Sequence, residues 1–212
     1  MSDITISLIS LNQVHDLKKL LPTLLTAASL ARAEIKLVDN HSTDGKAEFV
    51  AKNYPEISVT FNANKTGYGG NHNINLEKAH SKYFVIMNSD MTVEKDIFVK
   101  LRDFMDSNPD IGIVSPEILN EDGSVQYLNR RHPSLLNLFL RRFSPEFSKH
   151  IFRKYLDYHE MKDTGYDLIT DVEFISGTFM FCRTSLLKMI RGFDTNYFMY
   201  FEDVDLCRKI QQ

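Results

Sequence analysis

The sequence predicts an α/β protein built on a mostly parallel sheet. Three observations predict it. Short apolar runs alternate with amphipathic helical stretches through residues 1–110. A polar or glycine-containing turn follows each run. The runs are nearly continuous in apolar residues, as in strands covered on both faces.

Each element follows from its own pattern. "ITISLI" (4–9) is a β-branched strand. Leu17, Leu20, Leu21, Leu24, Leu25 and Ala28 form a helical stripe, with Pro22 predicting either a kink or a late start. "IKLV" (35–38) is the second strand, and "DNHSTDG" (39–45) is a turn that caps a helix running to about Asn53. "ISVTF" (57–61) is the third strand. "NKTGYGGNHN" (64–73) reads as a Gly/Asn loop before a helix over 74–81. "YFVIM" then runs into Asn88-Ser89-Asp90, a fourth strand with a carboxylate at its end. In such β-α-β-α sheets ligands bind beyond the carboxyl ends of the strands. Ser10, Asn12, Asp39, the glycine loop and Asn88-Asp90 all fall there.

The second half has a mixed character. "DIFVKLRDFMD" (96–106) reads as a helix, "IGIVSPEIL" (111–119) as a strand and "NEDGSVQYL" (120–128) as a tight turn into another. Residues 130–155 carry seven Arg/Lys against one acid, Glu146, with leucines interleaved. That segment reads equally as a solvated helical face or as a contact with an anionic membrane surface or a lipid diphosphate. "DVEFISGTFMFCR" (171–183) is a strand containing Ser176-Gly177. Leu186, Leu187 and Ile190 fit a helix closed by Gly192, and Glu202, Asp203 and Asp205 precede Arg208 and Lys209 as at a helix start.

Composition sets bounds. The 212 residues are 43% hydrophobic and 25% charged, with net charge −3, which gives no general bias toward nucleic acid. Two cysteines, Cys182 and Cys207, have no metal-ligand spacing and predict a reducing, cytoplasmic setting. The N-terminus has no basic head before its short apolar run, and no stretch reaches the ~18 apolar residues of a membrane span.

"LVDNHSTDG", "GYGGNHN", "VIMNSDM", "IGIVSPEILNEDGSVQ", "ISGTFMFCR" and "GFDTNYFMYFEDVDLCRK" follow one another from about Ile4 to Lys209. This ordered set resembles family-2 inverting glycosyltransferases, with rhamnosyltransferase-type enzymes of O-antigen and capsule synthesis nearest. The resemblance implies one GT-A domain over 1–212, with a nucleotide-sugar-binding half (1–110) and an acceptor and catalytic-base half (111–212). It implies transfer of a sugar, expected to be rhamnose, from a nucleotide-diphosphate donor to a saccharide or lipid-linked acceptor with inversion. Relatives continue past the last helix, so a C-terminal extension is expected beyond Gln212. Asn71 departs from the small residue that relatives often carry there.

The residues suit that chemistry. Charge growing on a departing diphosphate calls for a cation, and Mg²⁺ or Mn²⁺ needs only one or two carboxylates when the donor supplies oxygens. Asp90 is the expected ligand. Alone, it would read equally as a turn cap. Asn88 and Ser89 are expected against the ribose or phosphates. Asp39, by the resemblance, accepts hydrogen bonds from the base or ribose, although alone it reads as an Asx-turn. Ser10 and Asn12 line the same pocket. The G-x-G-x-x-G fingerprint fails at His72, so Gly67 and its neighbours are read as allowing close backbone approach to the nucleotide. His72 has no evident partner and reads equally as packing. Asn73 and Gly177 complete the expected donor contacts. By the resemblance, Asp203 is the base that deprotonates the acceptor and Glu202 orients a sugar; as a bare helix start, Asp203 reads as a cap. Two other classes compete: a non-catalytic nucleotide-sugar-binding module, and a nucleotidyltransferase, whose basic glycine-rich loop "SLNQVHD" does not supply.

Overall fold

The computed structural model describes residues 2–11, 14–43, 45–131, 136, 139–140 and 152–212, with the backbone alone at 14–16 and 46–47. The chain divides into two compact units, Met1–Ser115 with Gly177–Gln212, and Pro116–Ser176. This packing division does not follow the 110/111 division of the sequence, because residues 177–212 return to the sheet of the first unit.

In the first unit the elements are β1 (Ile4–Ser10), α1 (Val14–Ala31), β2 (Ala33–Asp39), α2 (Lys46–Asn53), β3 (Ile57–Phe61), α3 (Tyr68–Glu77), β4 (Tyr83–Met87), α4 (Ile97–Ser107) and β5 (Ile113–Val114). The sheet order is β3-β2-β1-β4-β6-β5, where β6 is Phe179–Arg183. The pairs β3/β2, β2/β1 and β1/β4 are parallel; β6 runs antiparallel to both β4 and β5. The strand order reverses between β1 and β4, so the ligand crevice of an open α/β sheet opens at their carboxyl ends. Every residue of β4 is buried, and all of β1 except half-buried Ile9, so both sheet faces are covered.

One face carries a buried polar network. The Ser7 hydroxyl meets His72 Nδ1 at 2.7 Å and accepts from Asn75 Nδ2 at 2.9 Å. Asn75 Nδ2 also reaches the Lys36 carbonyl at 3.1 Å. Burial lowers the His72 pKa to about 3, so the ring is neutral. His72 is thus a packing residue that joins α3 to the sheet.

The structure corrects several expected boundaries. Pro22 lies within α1, which starts before it, so the late start is excluded. Helix α3 begins at Tyr68, not at 74, and takes in the loop glycines. Each glycine within a helix costs about 1 kcal/mol relative to alanine. Packing overrides that cost, since a Cβ on Gly69 would lie 2.5 Å from Phe193 Cβ. The Asn71 amide fixes the helix entry by donating to the carbonyls of Gly67 (3.0 Å) and Thr66 (3.2 Å). The strand expected over 111–119 shrinks to β5, because Pro116 has no N–H for a ladder. The strand expected over 171–183 shrinks to β6. Gly177 lies outside it, with its backbone groups taken by side chains described below.

Helices α6 (Thr184–Met189) and α7 (Glu202–Ile210) complete the first unit. Helix α6 ends with Gly192 N–H donating to the Leu187 carbonyl (2.8 Å) and Arg191 N–H to that of Lys188 (3.1 Å), with both residues left-handed (φ 65 and 62). Arg183 donates to the carbonyls of Met105, Asn108 and Ile111, closing the end of α4. Cys182 and Cys207 are both buried, and neither is in a disulfide.

In the second unit α5 (Arg153–His159) is followed by a 3-10 turn (Lys162–Thr164). The turn at "NEDGS" forms, with Gly123 at φ 83 and Asp122 accepting from Ser124 N–H at 2.9 Å. It leads into a single bridge, Leu119 to Val125, in place of the expected strand.

Candidate active site

Ser10 and Asp39 are register partners at the ends of β1 and β2. Both are nearly inaccessible, at 1% and 5% exposure. Ser42 N–H donates to Asp39 Oδ2 at 3.2 Å, so the Asx-turn is real. Asp39 Oδ1 and Ser10 Oγ are buried with no hydrogen-bond partner among the described residues. An unpaired buried oxygen costs about 1–3 kcal/mol. The two residues sit side by side at the ends of neighbouring strands. Asn12 lies outside the described residues.

An asparagine cluster that the sequence reading passed over shapes this rim. Asn40 Nδ2 donates to the Thr66 carbonyl (2.9 Å), while its Oδ1 accepts from Thr66 N–H (3.2 Å). Asn62 Nδ2 reaches Thr66 Oγ1 and Asn71 Oδ1 at 2.9 and 2.8 Å. Asn71, the departure from the family pattern, is thereby a fixed and fully buried part of the first turn of α3.

The glycine loop is used differently from the expectation. A Cβ on Gly67 would fall 2.2 Å from the Phe198 carbonyl oxygen, so the close approach there is to the chain's own backbone. Asn73 is likewise spent on packing. Its Nδ2 donates to the Phe193 carbonyl at 2.8 Å and its Oδ1 accepts from Phe193 N–H at 3.0 Å. That latch holds the segment leading to α7 against α3.

At the end of β4, Ser89 is buried and Asn88 half-buried. Asp90 is exposed, and among the described residues it has no hydrogen bond or ion pair. No group of three or more His, Cys, Asp or Glu that could hold a metal occurs among the described residues. A free single carboxylate at the strand end still fits a cation that takes most of its ligands from a diphosphate and water.

The acid pair opens α7. Phe201, left-handed at φ 68, is the cap residue, and its side chain makes no capping bond; Glu202 and Asp203 are the first two helical residues. Asp203 is therefore not the cap. Its Oδ2 accepts from Gly177 N–H at 3.1 Å and its Oδ1 from Val204 N–H at 2.9 Å. It is half-buried, and each oxygen retains a second lone pair. Glu202 is buried at 8% exposure, and its Oε2 has no partner among the described residues. Burial, and secondarily the neighbouring Asp203, push the Glu202 pKa up; its own backbone N–H opposes this.

Tyr68, which no motif singled out as a site residue, joins these parts. Its hydroxyl lies 2.7 Å from the Gly177 carbonyl and 3.1 Å from Asn88 Oδ1. Burial holds its pKa far above that of an ordinary phenol, and the carboxylates of Glu202, Asp203 and Asp90 add to the effect. Every described candidate lies in the first unit.

Residues 5–189 match the sequence model of the glycosyl transferase family 2. The chain belongs to this family. The sheet, with its antiparallel β6 inserted beside four parallel strands, is that of the GT-A glycosyltransferases. The structure of Staphylococcus aureus TarS 1–349 superposes with a TM-score of 0.67 at 18% identity, over 98% of this chain and 55% of that one. The Pyrobaculum calidifontis mannosyltransferase PcManGT, in complex with GDP-Man and Mn²⁺, gives the same TM-score and identity over 98% and 51%. Among curated proteins, this family-2 chain is 26% identical over 194 residues to the N-acetylglucosaminyl-diphospho-decaprenol L-rhamnosyltransferase of Mycobacterium tuberculosis, covering 86% of the chain and 62% of that protein. It is 27% identical over 154 residues to the rhamnosyltransferase WbbL of Escherichia coli K12, covering 68% and 54%. The chain spans little more than half the length of these relatives.

The basic segment is divided. Arg141, Arg142 and Lys149 lie outside the described residues. Arg131 forms a two-pronged pair with Asp163 (2.7 and 2.8 Å), Arg130 lies 3.7 Å from Glu160, and Arg153 lies 3.6 Å from Asp157. Those three charges are balanced within the second unit. No helix among the described residues is long and apolar enough to cross a membrane.

Proposed function

We propose that this family-2 protein transfers a sugar from a nucleotide-diphosphate donor to a saccharide or lipid-linked acceptor with inversion at the anomeric carbon, in the synthesis of a surface polysaccharide. The observation that carries the reading is the Tyr68 hydroxyl, which lies 2.7 Å from the carbonyl of Gly177, whose N–H is bound by Asp203, and 3.1 Å from Asn88 at the strand end that carries Asp90. The donor-side strand end and the acid at the start of α7 are then tied to one side chain. The two rhamnosyltransferase relatives support rhamnose as the sugar, and the mycobacterial relative's name supports a lipid-diphosphate acceptor.

The residues suit the following roles. Ser10 Oγ and Asp39 Oδ1 accept or exchange hydrogen bonds with the nucleoside, which satisfies two buried oxygens. Asn88 and Ser89 line the diphosphate. Asp90, with donor oxygens and water, would hold Mg²⁺ or Mn²⁺; the Mn²⁺ in the mannosyltransferase complex supports a divalent ion. Such an ion, when bound, offsets the negative charge that builds on the leaving diphosphate. Asp203, fixed by two backbone N–H groups at a helix start, takes the acceptor's hydroxyl proton as that oxygen attacks. The same N–H groups and the helix dipole keep its carboxylate oriented. Glu202 offers an unpaired oxygen to a sugar hydroxyl.

The test is a panel of nucleotide sugars incubated with the purified protein and a lipid-diphosphate saccharide, with and without Mg²⁺ or Mn²⁺. Product formation with one donor is expected. Donor binding without any transfer, in every combination, would replace this reading with that of a non-catalytic nucleotide-sugar-binding module.

A further inference from the structure

Gly177 is gripped from both sides. Its carbonyl faces the Tyr68 hydroxyl at 2.7 Å, and its N–H donates to Asp203 Oδ2 at 3.1 Å. The residues that meet here come from three distant parts of the chain: the start of α3, the turn before β6 and the start of α7. A Cβ on Gly177 would lie 3.4 Å from the Tyr68 ring and 3.6 Å from Asp203 Cβ, so the two side chains close around the glycine. The Tyr68 ring is itself held, edge-on to His72 at 4.6 Å and to Phe193 at 6.2 Å. Its N–H donates to the Phe198 carbonyl (3.2 Å), three residues before the helix cap Phe201.

The hydroxyl has one proton and two neighbours. The shorter contact, to the Gly177 carbonyl, takes the proton. Asn88 at 3.1 Å satisfies the other side when its amide presents Nδ2 to the phenolic oxygen. Asn88 N–H also donates to the Thr178 carbonyl at 3.0 Å, next to Gly177. The end of β4 and the turn at 177–178 are therefore joined twice.

We propose that Tyr68 is a positioning residue, setting the Asp203 carboxylate through the Gly177 peptide and tying it to Asn88 on the donor side. This rests on the reading of Asp203 as the base. A peptide unit is planar and rigid, so anchoring the Gly177 carbonyl restrains the 177–178 peptide and, through the shared Cα, the direction of the Gly177 N–H. Glycine is otherwise the residue with the widest backbone freedom. Without the hydroxyl, the turn gains that freedom and the Asp203 oxygen loses a fixed donor. The ring alone does not supply the restraint, because van der Waals contact with the glycine does not fix the direction of its carbonyl. A donor group moving Asn88 would also be felt at Asp203 by this route.

Tyr68→Phe removes the oxygen and keeps the ring. Two readouts test the proposal. The first needs no activity: hydrogen exchange of the Gly177 amide is expected to speed up by about tenfold or more in Tyr68→Phe, with the melting temperature recorded beside it. The second is kinetic. The variant is expected to lower kcat by about tenfold to a hundredfold with donor KM within about twofold, and the Tyr68→Phe/Asp203→Asn double variant is expected to be no slower than Asp203→Asn alone. An unchanged Gly177 exchange rate overturns the proposal. So does a Tyr68→Phe loss that recurs in full on the Asp203→Asn background. If the wild-type protein transfers no sugar, the reading of the function fails, and the exchange measurement still decides whether Tyr68 holds Gly177. If Tyr68→Phe does not fold, Asp203→Ala carries the first test in its place. Its Gly177 exchange must then rise, and an unchanged rate overturns the link.

Discussion

The donor side of the rim and the acid pair at α7 are built by different means. At the ends of β1 and β2, the carboxylate of Asp39 is held by Ser42, three residues away, and its partner Ser10 is its neighbour in the sheet. At α7, Asp203 is held by Gly177, 26 residues away, which Tyr68 holds across 109 residues. The donor side is a property of a strand end; the acid side is a property of the folded unit. Both nevertheless leave a buried oxygen without a partner, on Asp39 and on Glu202.

The comparison can be broken by removing one side at a time. The largest effect short of the base itself is expected from Asp90→Ala. Transfer should fall by about a hundredfold or more, and added Mg²⁺ or Mn²⁺ should no longer stimulate it. Initial rates across a metal titration measure this. Asp39→Ala should weaken nucleotide-diphosphate binding by about tenfold, the equivalent of one hydrogen bond to a charged group. Calorimetric titration with the nucleotide alone reads it, and an unchanged affinity would remove Asp39 from the donor site.

Glu202 gives a smaller and oppositely signed effect. Its folded pKa is raised by burial, so the folded state holds the proton more tightly than the unfolded state does. The stability it contributes is present below the unfolded pKa of about 4.3 and is lost as pH rises through the folded value. Above the folded value the buried charge, with Oε2 unpaired among the described residues, is a burden. Glu202→Gln should therefore raise the melting temperature at pH 7 by about 2–4 °C, with the gain shrinking as pH falls through the folded value and gone below about pH 4.3, while transfer falls. Thermal scans from pH 3.5 to 8 check the sign.

A separate test concerns residues 130–155. With Arg130, Arg131 and Arg153 paired to acids, binding to anionic vesicles would rest on the remaining charges. Reversing Arg141 and Arg142 should weaken vesicle binding by about 1 kcal/mol per charge. Equal binding by wild type and variant would end the membrane reading.

The sheet was legible in the sequence because each strand is a local apolar run between turn residues. Asp39, Asn88 and Asp90 were legible as strand ends for the same reason, and Glu202-Asp203 as a charged helix start. What escaped was long-range. Gly67, Gly69 and Asn73 looked like a nucleotide loop, but their small size and amide serve Phe198 and Phe193, far along the chain. The helix over "YGGNHN" was hidden by its glycines, whose poor propensity is overridden by packing that no local window contains. Tyr68 had one faint signal, an aromatic between glycines at a loop's end. Its two hydrogen bonds reach residues that only the fold brings near.

The central claim is that Asp203 acts on the acceptor while Asp90 and Asp39 act on the donor. Asp203→Asn, assayed for both transfer and nucleotide-diphosphate affinity, tests it most directly. The account predicts transfer lowered by about 10²–10⁴-fold with nucleotide affinity within about twofold of wild type. Transfer at the wild-type rate, or a nucleotide affinity that falls in step with transfer, would contradict it.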